Sequence, residues 1–169
     1  MADFYEFAAE RLAEAGYIHY EISNWGLPGF ESLHNLKYWR RESYLGFGAG
    51  AHSFHSRQRW ANAHDPSEYI SSIGGHRLPV EQMHELSDGE ALEEELFLGL
   101  RQLKGIDIAR IERDYGATLT PRIHALAEQG LVKLEGERVR LAPERLTVSN
   151  EVFVALLGEL DESVTSANS

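Results

Sequence analysis

Apolar residues recur at helical spacing near the start of the chain, where Phe4, Phe7, Ala8 and Leu12 fall on one face. This predicts a helix over 3–15, capped by Asp3 and ended by Gly16 in the left-handed conformation. The period then drops to two. Ile18, Tyr20 and Ile22 point one way and Tyr17, His19 and Glu21 the other, as in a strand. Helix, tight glycine turn and strand make half of a βαβ unit, whose first strand is expected upstream of Met1. Residues 23–33 then form a loop broken at Gly26, Pro28 and Gly29, and 34–41 a short helix or an irregular segment. A short strand over 44–47 runs into Gly48-Ala49-Gly50, and 53–58 with 59–63 suggests a hairpin. Asp65 caps a helix with Pro66 at its first position; it runs through Tyr69, Ile70 and Ile73 and stops at Gly74-Gly75.

That double glycine marks the expected domain boundary, and 80–85 an extended connector beyond it. Ser87 and Glu90 form a capping box for a helix reaching to about Leu103, with Leu92, Leu96 and Leu100 on one face. Helices over 106–115 and 120–129 follow, the second ended by Gly130. Residues 131–135 and 138–141 form a hairpin with Gly136-Glu137 at its tip, and a last helix covers 148–160. Three helices and a two-stranded wing resemble a winged helix-turn-helix. The expected division is 1–75, a connector over 76–86, a helical unit over 87–160 and a disordered tail over 161–169.

Composition narrows the classes. No apolar run reaches the roughly 18 residues of a membrane span. Met1 to Glu6 lack the basic and apolar blocks of a signal peptide, so a cytoplasmic location is expected. The net charge of −11 weighs against phosphate-backbone binding. On the third helix and wing, Arg122, Lys133, Arg138 and Arg140 are largely offset by Glu128, Glu135 and Glu137. No nucleic-acid partner is expected; a structural or protein-docking role fits the winged segment better. There is no cysteine, so this chain builds no disulfide and no thiolate-held zinc or iron–sulfur site.

Several groups carry candidate chemistry. His34 near Tyr38, with Asn35 to orient a partner, could ligate a metal or haem iron or bind a propionate; the residues by themselves favour the plainer reading, in which His34 caps a short helix while Leu36, Tyr38 and Trp39 pack. His52 follows Gly48-Ala49-Gly50-Ala51, where small residues admit a ligand to the backbone or simply pack closely. The Lys-Ser/Thr pair of a phosphate-binding loop is missing. His52 and His55 stand three apart, on opposite faces if the segment is a strand. His19 and Glu21 share a strand face, to orient a ligand or to complete a buried network. Arg40, Arg41, Arg57 and Arg59 are the one local basic concentration, for an anionic ligand or a solvated surface.

Taken in order, Tyr20-Glu21-Ile22-Ser23-Asn24-Trp25, His34-Asn35-Leu36-Lys37-Tyr38-Trp39, the run from Tyr44 to Ser53 and Val148-Ser149-Asn150-Glu151-Val152-Phe153 resemble the C-terminal half of the radical-SAM haem chaperones. These are relatives of oxygen-independent coproporphyrinogen III oxidase. The resemblance implies an α/β fold: a partial (β/α) barrel over 1–75, then a mainly helical, winged-helix-like C-terminal domain. It implies a haem-binding motif at His34, Asn35 and Tyr38, with His34 toward the iron, and a SAM-bordering strand at Gly48, Ala49, Gly50, Ala51 and His52. In full-length relatives a CxxxCxxC motif holds a [4Fe–4S] cluster beside S-adenosylmethionine. This cysteine-free chain is expected to bind rather than catalyse, with haem, a haem-acceptor protein and the missing N-terminal half of the barrel as partners.

Two alternatives stay open. One is a fragment of the oxidase itself, against which the His34-Asn35-x-x-Tyr38 motif argues. The other is a non-catalytic winged-helix binding module, which salt-dependent duplex binding by residues 87–160 would support. Unpaired barrel edges lead to the expectation that residues 1–75 alone stay loosely folded while 87–160 fold independently.

Overall fold

The computed structural model describes residues 2–157. Helix α1 (Ala2–Glu14) starts one residue ahead of Asp3, so Asp3 lies inside the helix and not at its cap. Gly16 adopts φ +83°, and the Tyr17 N–H donates back to the Leu12 carbonyl at 2.9 Å. Strand β1 (Ile18–Glu21) pairs antiparallel with β2 (Asn24–Gly26). The expected loop at 23–33 therefore opens with a strand. Its cause is local side-chain chemistry that periodicity cannot register: the Glu21 carboxylate accepts from the Ser23 N–H (2.9 Å) and from the Asn24 amide, closing the turn.

Helix α2 (Leu33–Trp39) resolves the helix-or-irregular alternative at 34–41. Its cap is Ser32, whose Oγ accepts from the Asn35 N–H at 3.3 Å. The strand expected at 44–47 shrinks to a single bridge between Tyr44 and Phe54. Strands β3 (His52–His55) and β4 (Gln58–Asn62) form the expected hairpin. Helix α3 (Pro66–Gly74) has Asp65 as its cap, accepting from the Ser67 and Glu68 N–H groups at 2.8 and 3.0 Å. Beyond it, 80–85 is more than a connector: β5 (Val80–Glu85) adds to β4 and completes a sheet of order β3-β4-β5.

Helix α4 (Asp88–Leu100) carries the reciprocal Ser87/Glu90 capping box and ends before the expected Leu103. A two-residue strand β6 (Ile106–Asp107) precedes α5 (Ile108–Tyr115), so the second helix starts later than expected, on Asp107 as cap. Helix α6 (Thr120–Glu128), β7 (Val132–Glu135) and β8 (Arg138–Leu141) follow. The hairpin is joined by β6, giving the order β6-β8-β7. A 3-10 turn (Pro143–Val148) leads into α7 (Ser149–Leu157). The rest of the expected last helix, and the tail at 161–169, lie outside the described residues.

The fold is mixed α/β. Among the described residues every strand pair is antiparallel and no sheet closes on itself. The main core gathers the apolar faces of α4, α5, α6 and α7 against β7 and β8, with Leu96, Leu100, Ile111, Val139 and Leu156 fully enclosed. Each such side chain contributes about 1.5–3 kcal/mol by leaving water. Ile22 belongs to this core, and backbone bonds from Ile22 N–H to the Arg101 carbonyl (3.0 Å) and from Leu103 N–H to the Tyr20 carbonyl (3.2 Å) tie β1 to it. A smaller cluster of Phe54, Leu86 and Ala91 lies beneath the β3-β4-β5 sheet. Among the described residues no helix is long and apolar enough to cross a membrane.

Candidate ligand-binding cleft

Between α2 and the β3–β4 hairpin lies a cleft of about 1110 Å³. The helix supplies His34 and Tyr38, one turn apart and so on one face. Their rings meet edge to face at 5.0 Å and 72°. Tyr38 packs on Tyr44 at 4.5 Å, and Tyr44 lies 6.2 Å from Phe54. This aromatic run forms one wall. Trp60 stands on another, and Leu45 and Phe47 line the cleft while remaining 65% and 83% exposed. Exposed apolar groups beside a concave aromatic surface leave area that a ligand or another protein segment could cover.

Three imidazoles converge here. His34, His52 and His55 all line the cleft, so the two histidines that stand three apart in β3 reach it despite the strand's alternation. His55 Nδ1 shares a 3.0 Å hydrogen bond with Ser43 Oγ. Among the described residues no group of three or more His, Asp or Glu side chains could chelate an ion. Burial raises the Tyr44 phenol above its ordinary pKa, so it remains a hydroxyl group at neutral pH. Asn35 does not line the cleft; its backbone N–H serves the helix cap.

The glycine-rich run is held from behind. Buried Ser53 Oγ accepts from the Gly46 N–H at 3.0 Å. Buried Asn62 donates to the carbonyls of Gly46 (3.3 Å) and Gly48 (2.9 Å), and the Gly48 N–H donates to the Tyr69 hydroxyl at 3.1 Å. Gly50 and Ala51 line the cleft with His52, whereas Gly48 and Ala49 do not. Gly50 sits at φ +67°, and a Cβ there would come within 2.8 Å of the His64 ring. At Gly46 a Cβ would collide with the His52 carbonyl at 2.2 Å. Sequence reasoning missed Ser53, Asn62 and Tyr69. The one signal was a polar Asn62 set between the apolar residues Trp60, Ala61 and Ala63.

The remaining candidates belong to the scaffold. Glu21 is fully buried and is met by Ser23, by Asn24 and by Arg101 at 3.5 Å, which fulfils the buried-network alternative. Arg101 lies 4.5 Å over the Trp39 ring. His19 stacks on Trp25 at 4.2 Å and meets the Tyr5 hydroxyl at 3.2 Å; burial lowers its pKa. Arg41 and Arg59 lie over the Phe54 ring and pair with Glu94 at 3.4 and 3.0 Å. Arg41 also meets Glu95 (3.2 Å) and the Tyr115 hydroxyl (2.7 Å), and Arg57 meets Asp88. Those arginines thus fasten the sheet to α4. The winged segment's cations are engaged likewise: Arg122 with the Ala155 carbonyl, Lys133 with Glu144, Arg140 with Glu135, and Arg138 with the carbonyls of Lys104 and Gly105.

Comparison with known proteins finds relatives of this architecture. Residues 86–144 match the family described as the HemN C-terminal domain. The chain is 39% identical over 163 residues to the haem chaperone HemW of Bacillus subtilis (strain 168), covering 94% of this chain and 43% of that protein. The haem chaperone HemW of Lactococcus lactis subsp. lactis (strain IL1403) is 35% identical, with coverages of 92% and 42%. The mitochondrial radical S-adenosyl methionine domain-containing protein 1 of Bos taurus is 30% identical, with coverages of 96% and 40%. Coproporphyrinogen III oxidase (HemN) of Escherichia coli superimposes with a TM-score of 0.69 at 15% identity, over 92% of this chain and 40% of that one, a likeness of fold. Residues 86–144 thus resemble the HemN C-terminal domain, and the chain as a whole is similar to proteins named haem chaperone HemW and radical S-adenosyl methionine domain-containing protein 1. It spans about two fifths of the length of these relatives.

Proposed function

We propose that this chain is the haem-contacting and C-terminal portion of a cytoplasmic radical-SAM haem chaperone, and that haem binds in the cleft between α2 and the β3–β4 hairpin. The observation that carries this reading is the cleft itself: edge-packed His34 and Tyr38 face an aromatic and apolar hollow that also receives His52 and His55. Its make-up fits the group. A flat macrocycle asks for aromatic and apolar walls, and its iron for an axial imidazole, which needs no chelating cluster. Haem would supply the iron that accepts such a nitrogen. His34 offers the imidazole from a capped helix whose buried Leu36 anchors it. Tyr38 braces the His34 ring, and Asn35 holds the helix start through its backbone.

SAM and the [4Fe–4S] cluster are assigned to the longer parent, because this chain has no cysteine to ligate a cluster. For SAM, support in this chain is confined to Gly50, Ala51 and His52, since the Gly48 N–H and carbonyl are already bonded internally. Residues 1–75 belong in this reading to the parent's partial barrel, and the winged-helix-like unit over 87–160 docks a haem-acceptor protein.

The test is haem titration of the full chain, followed by its Soret band, against a His34→Ala, Tyr38→Ala double variant. The expected result is a loss of affinity of about tenfold or more, the effect of removing one good ligand contact. Equal spectra and equal affinities in the two proteins would remove the haem role.

A further inference from the structure

A second, polar hollow of about 190 Å³ lies between the end of α2, the turn after α4 and the start of α5. Five cations line it, Arg40, Arg41, Lys104, Arg110 and Arg138, against two carboxylates, Glu95 and Asp107. This is a marked excess in a chain of net charge −11. Three of the cations have internal work. Arg41 and Arg110 both hold Glu95, and Arg138 donates to the carbonyls of Lys104 and Gly105. Asp107 is occupied as the cap of α5, accepting from the Arg110 N–H at 2.8 Å.

Arg40 and Lys104 are left over. Arg40, exposed, has a loose contact with Glu42 at 3.8 Å, and Lys104, also exposed, has no ion pair among the described residues. Partial burial first, and then the charges of Arg40 and Arg138, hold the Lys104 ammonium below its ordinary pKa. Arg41 and Arg110 are further neutralised by Glu94 (3.4 Å) and Asp114 (2.9 Å), so the charge left to attract a ligand is that of Arg40 and Lys104, whose mutual repulsion an anion seated between them relieves. Trp39 Nε1 and Gln102 Oε1, also in these walls, are sealed from solvent and unpartnered, and no contact is placed on them.

We propose that this hollow is a binding site for a small oxyanion, a phosphate or a carboxylate group, held chiefly by Arg40 and Lys104. Its size suits a single such group and not a macrocycle. The hollow shares no lining residue with the cleft proposed for haem, so the proposal does not rest on haem binding there.

The test is calorimetric titration of the full chain with inorganic phosphate and, separately, with acetate, each at an ionic strength fixed by chloride. At least one anion is expected to bind, phosphate alone marking a phosphate site and acetate alone a carboxylate site. The Arg40→Gln, Lys104→Gln double variant is expected to bind about tenfold more weakly or worse, as when charge-assisted hydrogen bonds are lost. An Arg11→Gln control, far along the sequence on α1, is expected to bind as the parent does. If the double variant does not fold, Lys104→Gln alone decides the matter by the same loss. Binding of neither anion, or equal binding by parent and variant, overturns the proposal.

Discussion

The helical unit and the cleft region are stabilised on opposite terms. In the helical unit, α4 to α7 bury a continuous set of aliphatic side chains, and few large apolar groups remain in water. Around the cleft the order reverses. The apolar cluster beneath β3–β5 has three buried members, while Phe30, Leu33, Leu45, Phe47 and Leu78 stay exposed. There the shape depends on directed bonds: Ser53, Asn62 and Tyr69 to the glycine-rich loop, and Arg41 and Arg59 to α4. A packed core supplies stability without needing exact partners. A binding surface must leave apolar area uncovered, so its geometry has to come from polar contacts that each fix a single position.

The sharpest way to break this contrast is to open a hole in the helical unit. Leu96 is fully buried, and Leu96→Ala is expected to cost about 2–5 kcal/mol. Because Ile22 sits in the same core, the loss is expected to reach β1 as well. Urea unfolding followed by tryptophan fluorescence together with far-ultraviolet dichroism checks it. A change below about 1 kcal/mol would show that this core is not where the stability lies.

The seam between the regions gives a smaller and pH-dependent effect. Burial alone would raise the Glu95 pKa, but hydrogen bonds from Arg110 and Tyr115 and the charges of Arg110 and Arg41 outweigh it and hold it below its ordinary value. A carboxyl whose folded pKa is depressed stabilises the protein above its unfolded pKa and loses that stabilisation as the pH falls through the folded one. Wild-type stability is therefore expected to fall on acidification below the unfolded value of about 4.5. Glu95→Gln is expected to cost about 1–3 kcal/mol at pH 7 and to flatten that acid limb. Thermal melts across pH 3–7 measure both; an unchanged acid limb in the variant would place the titration elsewhere.

How much of this was legible in the sequence follows the same division. The helical unit announces itself: Leu92, Leu96 and Leu100 keep a strict spacing, Ser87 and Glu90 spell out the capping box, and Gly136-Glu137 marks the hairpin tip. All of these are local signals. At the cleft, motif order and resemblance pointed to His34, Tyr38 and His52 one by one, but not to their meeting with His55 in a single hollow. That meeting depends on contacts between distant segments, such as the Tyr44–Phe54 bridge. Strand β2 was hidden because Glu21 makes the turn with its side chain. Strand β5 was hidden because its partner β4 lies across the whole of α3.

The weakest perturbation sharpens the contrast most finely. Helix α3 has a well-formed cap at Asp65 but no buried residue of its own. Removing the cap takes away an acceptor shared by two N–H groups, worth about 0.5–2 kcal/mol to the helix itself. A helix that buries nothing is weakly coupled to the rest, so global stability is expected to change by less than about 0.5 kcal/mol in Asp65→Ala. Amide hydrogen exchange is expected to accelerate through 67–74 and into Gly48, whose N–H rests on the Tyr69 hydroxyl. Exchange in Ile111 and Val139 stays as before, because those groups open only with the helical core. Uniform acceleration in both regions would mean that the glycine-rich loop and the helical core unfold as one unit.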